Sequence, residues 1–205
     1  MTIQLYLAYV LASIVVLIVP GPTVSLIIAN SLRYGARAGF LNIAGTQMGL
    51  AMMLGVLLLG LNTVMSLMGA WFDWIRIVGA LYLVWLGFRM LMAREDAVSP
   101  GSTTAKRPGQ GFFWQGLGVA LSNPKVLLFF GAFIPQFVDT TRPYGPQVLL
   151  LALTFMALGI VLDGGYAVLA GRAGGWITGP RRVAMSRASG AILIGGGIWL
   201  ALLRR

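Results

Sequence analysis

Apolar runs long enough to cross a membrane dominate this chain. An α-helix needs about 20 apolar residues to span the hydrocarbon core of a bilayer. Six stretches approach or exceed that length, at about 4–30, 40–68, 71–92, 111–138, 147–170 and 187–203. Because helices satisfy their own backbone polar groups in lipid, the pattern predicts an all-α integral membrane protein with six transmembrane helices.

The composition agrees with a membrane protein and excludes several kinds of chemistry. Only 10% of the residues are charged, whereas a soluble domain carries about 25%. The net charge is +10, but the basic residues lie between apolar blocks, which indicates membrane topology rather than nucleic-acid binding. Cysteine and histidine are absent, so thiol nucleophiles, imidazole bases and soft-metal clusters are excluded. We expect no metal and no cofactor.

The basic residues also predict an orientation. The segments that follow spans one, three and five contain Arg33, Arg37, Arg89, Arg94, Lys106, Arg107, Arg172, Arg181, Arg182 and Arg187. The opposite side holds Arg76, Arg142, Arg204 and Arg205. Positively charged loops stay in the cytoplasm, so both termini are predicted on the non-cytoplasmic side.

The two halves of the chain contain similar short patterns. Pro22 and Pro124 each begin a Pro-x-Val-x-Leu sequence followed by bulky apolar residues. Arg76 and Arg187 each begin an Arg-x-x-Gly-Ala sequence in the third and the sixth span. Coincidence between membrane segments is the alternative, but the shared order of the two matches favours an internal duplication.

A duplication fixes how the halves are related. Residues 1–205 then form one transmembrane domain of two pseudo-repeats, 1–92 and 111–205, joined by a polar cytoplasmic linker at 93–110. Each repeat has three spans, so the second enters the membrane from the opposite side. The result is a 3+3 inverted repeat, an arrangement found in many secondary transporters.

Helix breakers interrupt the first span near its middle. Proline lacks a backbone N–H and clashes with the preceding turn, so Pro20-Gly21-Pro22 should break the helix, and Pro22 can restart it. The N–H groups from Thr23 onwards would then be free at a positive helix end, which suits a carboxylate. An ordinary proline kink is the alternative at this position.

The fourth span contains a matching break. Asn123 is a good N-cap and Pro124 fits the first helical position, so a second half-helix is predicted to begin there. Spans one and four would therefore both be broken near the membrane midplane, and together they predict a substrate-binding site. Freed backbone groups at this depth are tolerated only inside protein or beside a water-filled cavity.

Two charged residues lie within the apolar spans. Lys125 follows Pro124, and Asp163 lies in the fifth span. A charge at such depth costs several kcal/mol unless it is paired or hydrated, so both are candidate site residues. A direct or ligand-bridged pair between them is a hypothesis, while a snorkelling lysine and a hydrated interfacial aspartate are the alternatives. Gln47 lies between Gly45 and Gly49, a pattern typical of close helix packing.

Several motifs together resemble the LysE/RhtB family of bacterial amino-acid exporters. They are PGP in the first span, GARAGF after it, IAGTQMGLA in the second, VGALYLVWLG in the third, LSNPK and IPQF in the fourth, and GYAVLAGR in the fifth. The similarity covers most of the chain in order. It implies a small bacterial inner-membrane protein that exports amino acids or their derivatives by proton antiport.

The resemblance also implies site residues. The matching positions are Pro20, Gly21, Pro22, Gln47, Asn123, Pro124 and Lys125. Members of the family often carry the acidic residue of the fifth span one turn earlier, where this chain has Gly159. Asp163 lies on the same helix face and is the candidate either to carry the exchanged proton or to hold the substrate amine. A homodimer is compatible with this class of protein, and no nucleic-acid partner is expected.

Two other classes of protein are alternatives to an exporter. A membrane scaffold or accessory subunit without transport of its own is the main rival, but it has no need for a buried Lys125 and two paired helix breaks. An enzyme is disfavoured because Ser25 and Ser122 have no histidine that could activate them.

Overall fold

The computed structural model describes residues 1–58, 77–92, 111–139, 141–174 and 179–202. All regular secondary structure in these ranges is helical. The α-helices are α1 (Ile3–Ile18), α2 (Pro22–Tyr34), α3 (Ala36–Leu58), α4 (Ile77–Leu91), α5 (Gly111–Ser122), α6 (Pro124–Leu128), α7 (Tyr144–Ala173) and α8 (Gly179–Leu202). The predicted linker 93–110 and the segment 59–76, where spans two and three were predicted to end and begin, lie outside the described residues.

Within the described ranges, three helices are long and apolar enough to cross a bilayer: Ala36–Leu58, Tyr144–Ala173 and the part of α8 at Val183–Leu202. Helices α1 and α2 meet this criterion only as a pair, and they are bent by 51° with respect to each other. The prediction of an all-α protein with membrane-spanning helices is therefore confirmed at this level.

The break between α1 and α2 lies where the sequence predicts it. Gly21 adopts an extended conformation (φ −134°, ψ −168°) and precedes Pro22, the first residue of α2. Proline at this position loses no hydrogen bond, because the first N–H groups of a helix have no partner within it. Helix α2 then runs to Tyr34, four residues beyond the predicted end of the first span.

The break between α5 and α6 is also confirmed, but the second half-helix is shorter than predicted. Asn123 caps α6 by accepting a hydrogen bond from the backbone N–H of Lys125 (3.0 Å). Only five residues are α-helical before the chain widens into a π-helical turn at Phe129–Phe133 and a 3₁₀ turn at Ile134–Phe137. Pro135 cannot donate a helical hydrogen bond, so a regular α-helix cannot continue through this segment.

Helices α3 and α5 run parallel at very short range. A Cβ atom at Gly45 would collide with the carbonyl oxygen of Phe113, and one at Gly116 would collide with that of Asn42. The close helix packing predicted for the Gly45–Gly49 motif is therefore confirmed. Nearby, the buried side chain of Asn42 accepts a hydrogen bond from Asn30 of α2 (2.8 Å).

In three places, a helix from the first half of the chain lies antiparallel to a helix from the second half. Along α2 and α5–α6, Asn30 bonds to Gln115 and Thr23 to Asn123, so the two chains run in opposite directions. Helices α3 and α7 behave alike: Gly39 packs on Ala167, and Gln47 donates a hydrogen bond to the carbonyl of Met156.

Helices α4 and α8 show the same relation. Gly87 packs against Gly190, and Ala80 lies against Gly197. The later residue of α4 meets the earlier residue of α8, and the earlier residue of α4 meets the later one of α8. The two helices are therefore antiparallel.

An aromatic cluster fills the space between α1, the π-helical turn and α7. Tyr9, Phe129, Phe133 and Phe155 are its main members, and Phe129 and Phe155 stack with ring centres 4.1 Å apart. Tyr9 is fully buried and donates a hydrogen bond to the carbonyl of Leu151 (2.8 Å). Of these residues, Phe155 also lines the cavity described below.

Candidate functional site

The two helix breaks meet in space. The side chain of Asn123 donates a hydrogen bond to the hydroxyl of Thr23 (2.8 Å), and both residues are buried. Lys125 Nζ donates a hydrogen bond to the carbonyl of Val19 (2.6 Å), which is one of the backbone groups freed by the first break. A Cβ at Gly21 would lie 3.5 Å from the Lys125 stem. Two breaks that are 102 residues apart in the chain (22 to 124) therefore form one structural unit.

The two half-helix N-termini are not equivalent. In α6, the side chain of Asn123 accepts the hydrogen bond of the Lys125 N–H. In α2, Gly21 provides no side-chain cap, and within the described residues no side chain bonds to the first N–H groups. The sequence predicted two similar half-helix ends, but a side-chain cap is present only at α6, where Asn123 accepts a hydrogen bond, and not at the α2 end that begins at Pro22.

A cavity opens beside the two breaks. Six of the predicted site residues line it, and they come from both breaks, α3 and α7: Gly21, Thr23, Gln47, Asn123, Lys125 and Asp163. These residues are far apart in the sequence, from Gly21 to Asp163, and the fold brings them together around one cavity.

Two of the predicted prolines, Pro20 and Pro22, are not part of the cavity wall. Pro20 is exposed in the turn between α1 and α2. Pro22 is buried and packs against Gly196 of α8. The side chain of Pro124 lies outside the described part of the structure. The prolines thus set the course of the backbone, and other residues face the cavity.

Three buried oxygen atoms of the cavity have no hydrogen-bond partner among the described residues. They are Thr46 Oγ1, Gln47 Oε1 and Asp163 Oδ1. Asp163 is only 4% exposed and Thr46 only 3%. All three lie on α3 and α7, while the cationic Lys125 and the free end of α2 lie at the breaks.

Lys125 and Asp163 share the cavity and interact electrostatically. They do not form an ion pair: among the described residues the ion pairs are those of Asp139 with the N-terminus and with Arg142. Lys125 Nζ instead contacts Val19, as above. A direct Lys125–Asp163 bond is thus not formed, and a ligand-bridged arrangement stays a prediction.

The rest of the lining is mostly apolar, and none of it was among the predicted site residues. It consists of Val16, Leu17, Val24, Thr46, Leu50, Val126, Phe155 and Gly159. Thr46 was also missed, although it adjoins Gln47 in the motif of α3. A signal was present for Thr46, because a polar residue next to Gln47 at the same depth of a span can face the same cavity. The apolar residues gave no signal, since lipid-facing residues look the same in sequence.

The described residues form apolar helices, and a cavity with charged and polar residues in its wall lies between two broken helices, so the chain is a multi-pass membrane protein. The model of the LysE type translocator family matches residues 14–204. The chain therefore belongs to the LysE type translocator family, whose members are transporters rather than enzymes.

Relatives cover the whole chain. A membrane protein of Vibrio cholerae is 33% identical over 203 residues, 98% of each chain. The homoserine/homoserine lactone efflux protein of Salmonella typhimurium is 32% identical over 206 residues, which are 100% of this chain and 99% of the relative. The leucine efflux protein of Klebsiella pneumoniae is 31% identical over 150 residues, 73% of this chain and 71% of the relative. No solved structure matches this chain.

Proposed function

We propose that this protein is a secondary exporter of amino acids or close derivatives across the bacterial inner membrane, driven by proton antiport. The observation that carries the proposal is the cavity between the two helix breaks, with Lys125 and Asp163 in its wall. Charges buried in a membrane protein are costly and usually functional. Family membership and the efflux function in the names of two relatives support the same conclusion.

The substrate carboxylate binds at the first break. The uncapped N-terminus of α2 offers the N–H of Thr23 and a positive helix end, which Pro20, Gly21 and Pro22 create. Lys125 supplies the counter-charge from the opposite break, beside Gly21. A carboxylate here would accept hydrogen bonds from the Thr23 N–H and from the Lys125 ammonium.

The second break holds this cation in place. Asn123 is almost fully buried and bridges Thr23 and the Lys125 backbone. Pro124 starts the half-helix that carries Lys125. These residues act on the substrate mainly through the position of the lysine.

Asp163 either carries the exchanged proton or holds the substrate amine. Its carboxylate is buried and one oxygen has no partner among the described residues. Gln47 lies in the same wall and contributes a second polar atom. Asp163→Asn should retain counterflow better than pH-driven net export in the first case, and lose both in the second.

The substrate side chain is neutral and of moderate size. The described lining contains one cation and one acid, which match the two charges of a zwitterion. A basic or acidic side chain would bring a further charge to a wall of Leu17, Leu50, Val126 and Phe155. Uncompensated charge in such surroundings is strongly disfavoured. Leucine and homoserine, named in the relatives, both fit this class.

The architecture is six spans in a 3+3 inverted repeat, with pseudo-repeats 1–92 and 111–205 joined by the linker 93–110. The antiparallel pairing of α2 with α5–α6, α3 with α7 and α4 with α8 supports this arrangement. Both termini lie on the non-cytoplasmic side, as the distribution of basic residues predicts. Such a repeat lets one half rock against the other around a fixed site.

Counterflow of radiolabelled amino acids in proteoliposomes tests the proposal. The panel contains leucine, homoserine, lysine and glutamate, each measured with and without a pH gradient. We expect exchange of the neutral substrates and net movement driven by the gradient. Absence of exchange for every amino acid would favour a scaffold, and exchange without any effect of the gradient would reject proton antiport.

A further inference from the structure

The wall of the cavity formed by α3 and α7 presents three hydrogen-bond acceptors without a donor. Thr46 Oγ1, Gln47 Oε1 and Asp163 Oδ1 are buried and have no partner among the described residues. The large majority of buried side-chain polar atoms in proteins have a hydrogen-bond partner. Three exceptions in a single cavity therefore indicate a ligand that donates several hydrogen bonds there.

The orientation of the Gln47 amide follows from its other contact. Gln47 Nε2 donates to the carbonyl of Met156 (3.3 Å). A carbonyl oxygen can only accept, so the nitrogen must face Met156, and Oε1 is left as an acceptor for the cavity. The ionised carboxylate of Asp163 is likewise an acceptor only, while the hydroxyl of Thr46 can accept. A ligand at this wall must therefore be a donor.

We propose that Thr46, Gln47 and Asp163 form a subsite for a primary ammonium group. A primary ammonium has three N–H donors, one for each oxygen, and its positive charge matches Asp163. The inference deepens the proposed function, on which it rests, and assigns to Thr46 a role in specificity. The protein's own ammonium, Lys125, does not fill the subsite because it bonds to Val19.

The subsite discriminates between degrees of N-substitution. A secondary ammonium carries two N–H groups, so one of the three oxygens would lose its donor and face a methyl group instead. An unpaired buried polar group at a site built for hydrogen bonding lowers affinity strongly. We expect N-methyl amino acids to bind at least about tenfold more weakly than their parents.

Thr46 gives the sharpest test, because valine has the same shape as threonine but no hydroxyl. The half-saturating concentrations of leucine and N-methyl-leucine, and of homoserine and N-methyl-homoserine, are measured by counterflow in proteoliposomes. In Thr46→Val we expect the half-saturating concentration of the parent amino acid to rise roughly tenfold. The ratio of the half-saturating concentration of the N-methyl compound to that of its parent should fall towards one. Thr46→Ser should keep the ratio. Thr154→Val removes a hydroxyl outside the cavity and should also keep it.

Thermal stabilisation of the detergent-purified protein by the same four compounds provides a readout independent of transport. The subsite is supported if the parent amino acids stabilise the wild type more than the N-methyl compounds do, and if this difference disappears in Thr46→Val. This result would support the subsite even if no exchange occurs and the exporter function fails. Exchange without discrimination in the wild type, or a ratio unchanged by Thr46→Val, overturns the subsite while leaving the exporter function intact. Absence of both exchange and stabilisation for all four compounds overturns both.

Discussion

Replacing Lys125 by methionine tests the carboxylate site most directly. The substitution keeps the unbranched stem beside Gly21 and removes only the ammonium. Leaving a desolvated charge without its partner costs about 3–5 kcal/mol in a fully buried pair. Lys125 is only half-buried, so we expect a smaller loss of about 2–3 kcal/mol, or roughly 30- to 150-fold in half-saturating concentration.

The assay is counterflow of leucine and homoserine with each variant in proteoliposomes. Lys125→Arg should restore activity only in part, because a planar guanidinium cannot replace a compact ammonium donating to the Val19 carbonyl. Arg172→Met is the matched control: it removes an exposed cation near the end of α7, outside the cavity. Its half-saturating concentration should stay within about twofold of the wild type.

A substrate analogue separates binding from folding. Leucinamide has no carboxylate, so thermal stabilisation of the protein by leucinamide should not weaken in Lys125→Met, whereas stabilisation by leucine should. Normal half-saturation with leucine in a folded, membrane-inserted Lys125→Met protein would refute the role of the lysine.

The remaining predictions concern the scaffold of the site. Thr23→Val should lower the thermal unfolding midpoint in detergent, because the buried amide of Asn123 loses its acceptor at a cost of about 1–3 kcal/mol. Thr23→Ser keeps the hydroxyl and should leave the midpoint unchanged. Equal midpoints for the two variants would disprove the importance of this hydrogen bond. Gly45→Ala should destabilise the protein because its Cβ would collide with the backbone of α5, whereas Gly55→Ala on the same helix meets open space and should be tolerated. Equal expression and melting of these two alanine variants would contradict the close packing of α3 and α5.

The helix breaks could be predicted from the sequence because their cause is local. A proline that lacks its N–H interrupts a helix wherever it lies, so Pro22 and Asn123-Pro124 were placed correctly without knowledge of the fold. Lys125 and Asp163 were found for a similar reason, since a charge within an apolar span is conspicuous. These predictions needed no information about which helices pack together.

The features that the sequence did not reveal depend on packing between distant segments. Thr46 looks like a packing residue of the Gly45–Gly49 motif until α7 is placed beside it. The contact of Lys125 with the Val19 carbonyl could not be predicted either, because it joins two segments that are 106 residues apart in the chain. The unequal capping of α2 and α6 also depends on the local geometry of Asn123.

The two roles considered for Asp163 can be one mechanism if the proton and the substrate ammonium compete for its carboxylate. Each would supply the positive charge that a buried carboxylate needs, so release of one would favour binding of the other, which is the requirement of an antiporter. The half-saturating concentration of leucine should then rise as the pH on the binding side falls. Asp163→Asn should weaken binding and remove this pH dependence, because an amide does not titrate. Counterflow measured at several pH values tests both points. An unchanged pH profile in Asp163→Asn would show that Asp163 does not carry the exchanged proton.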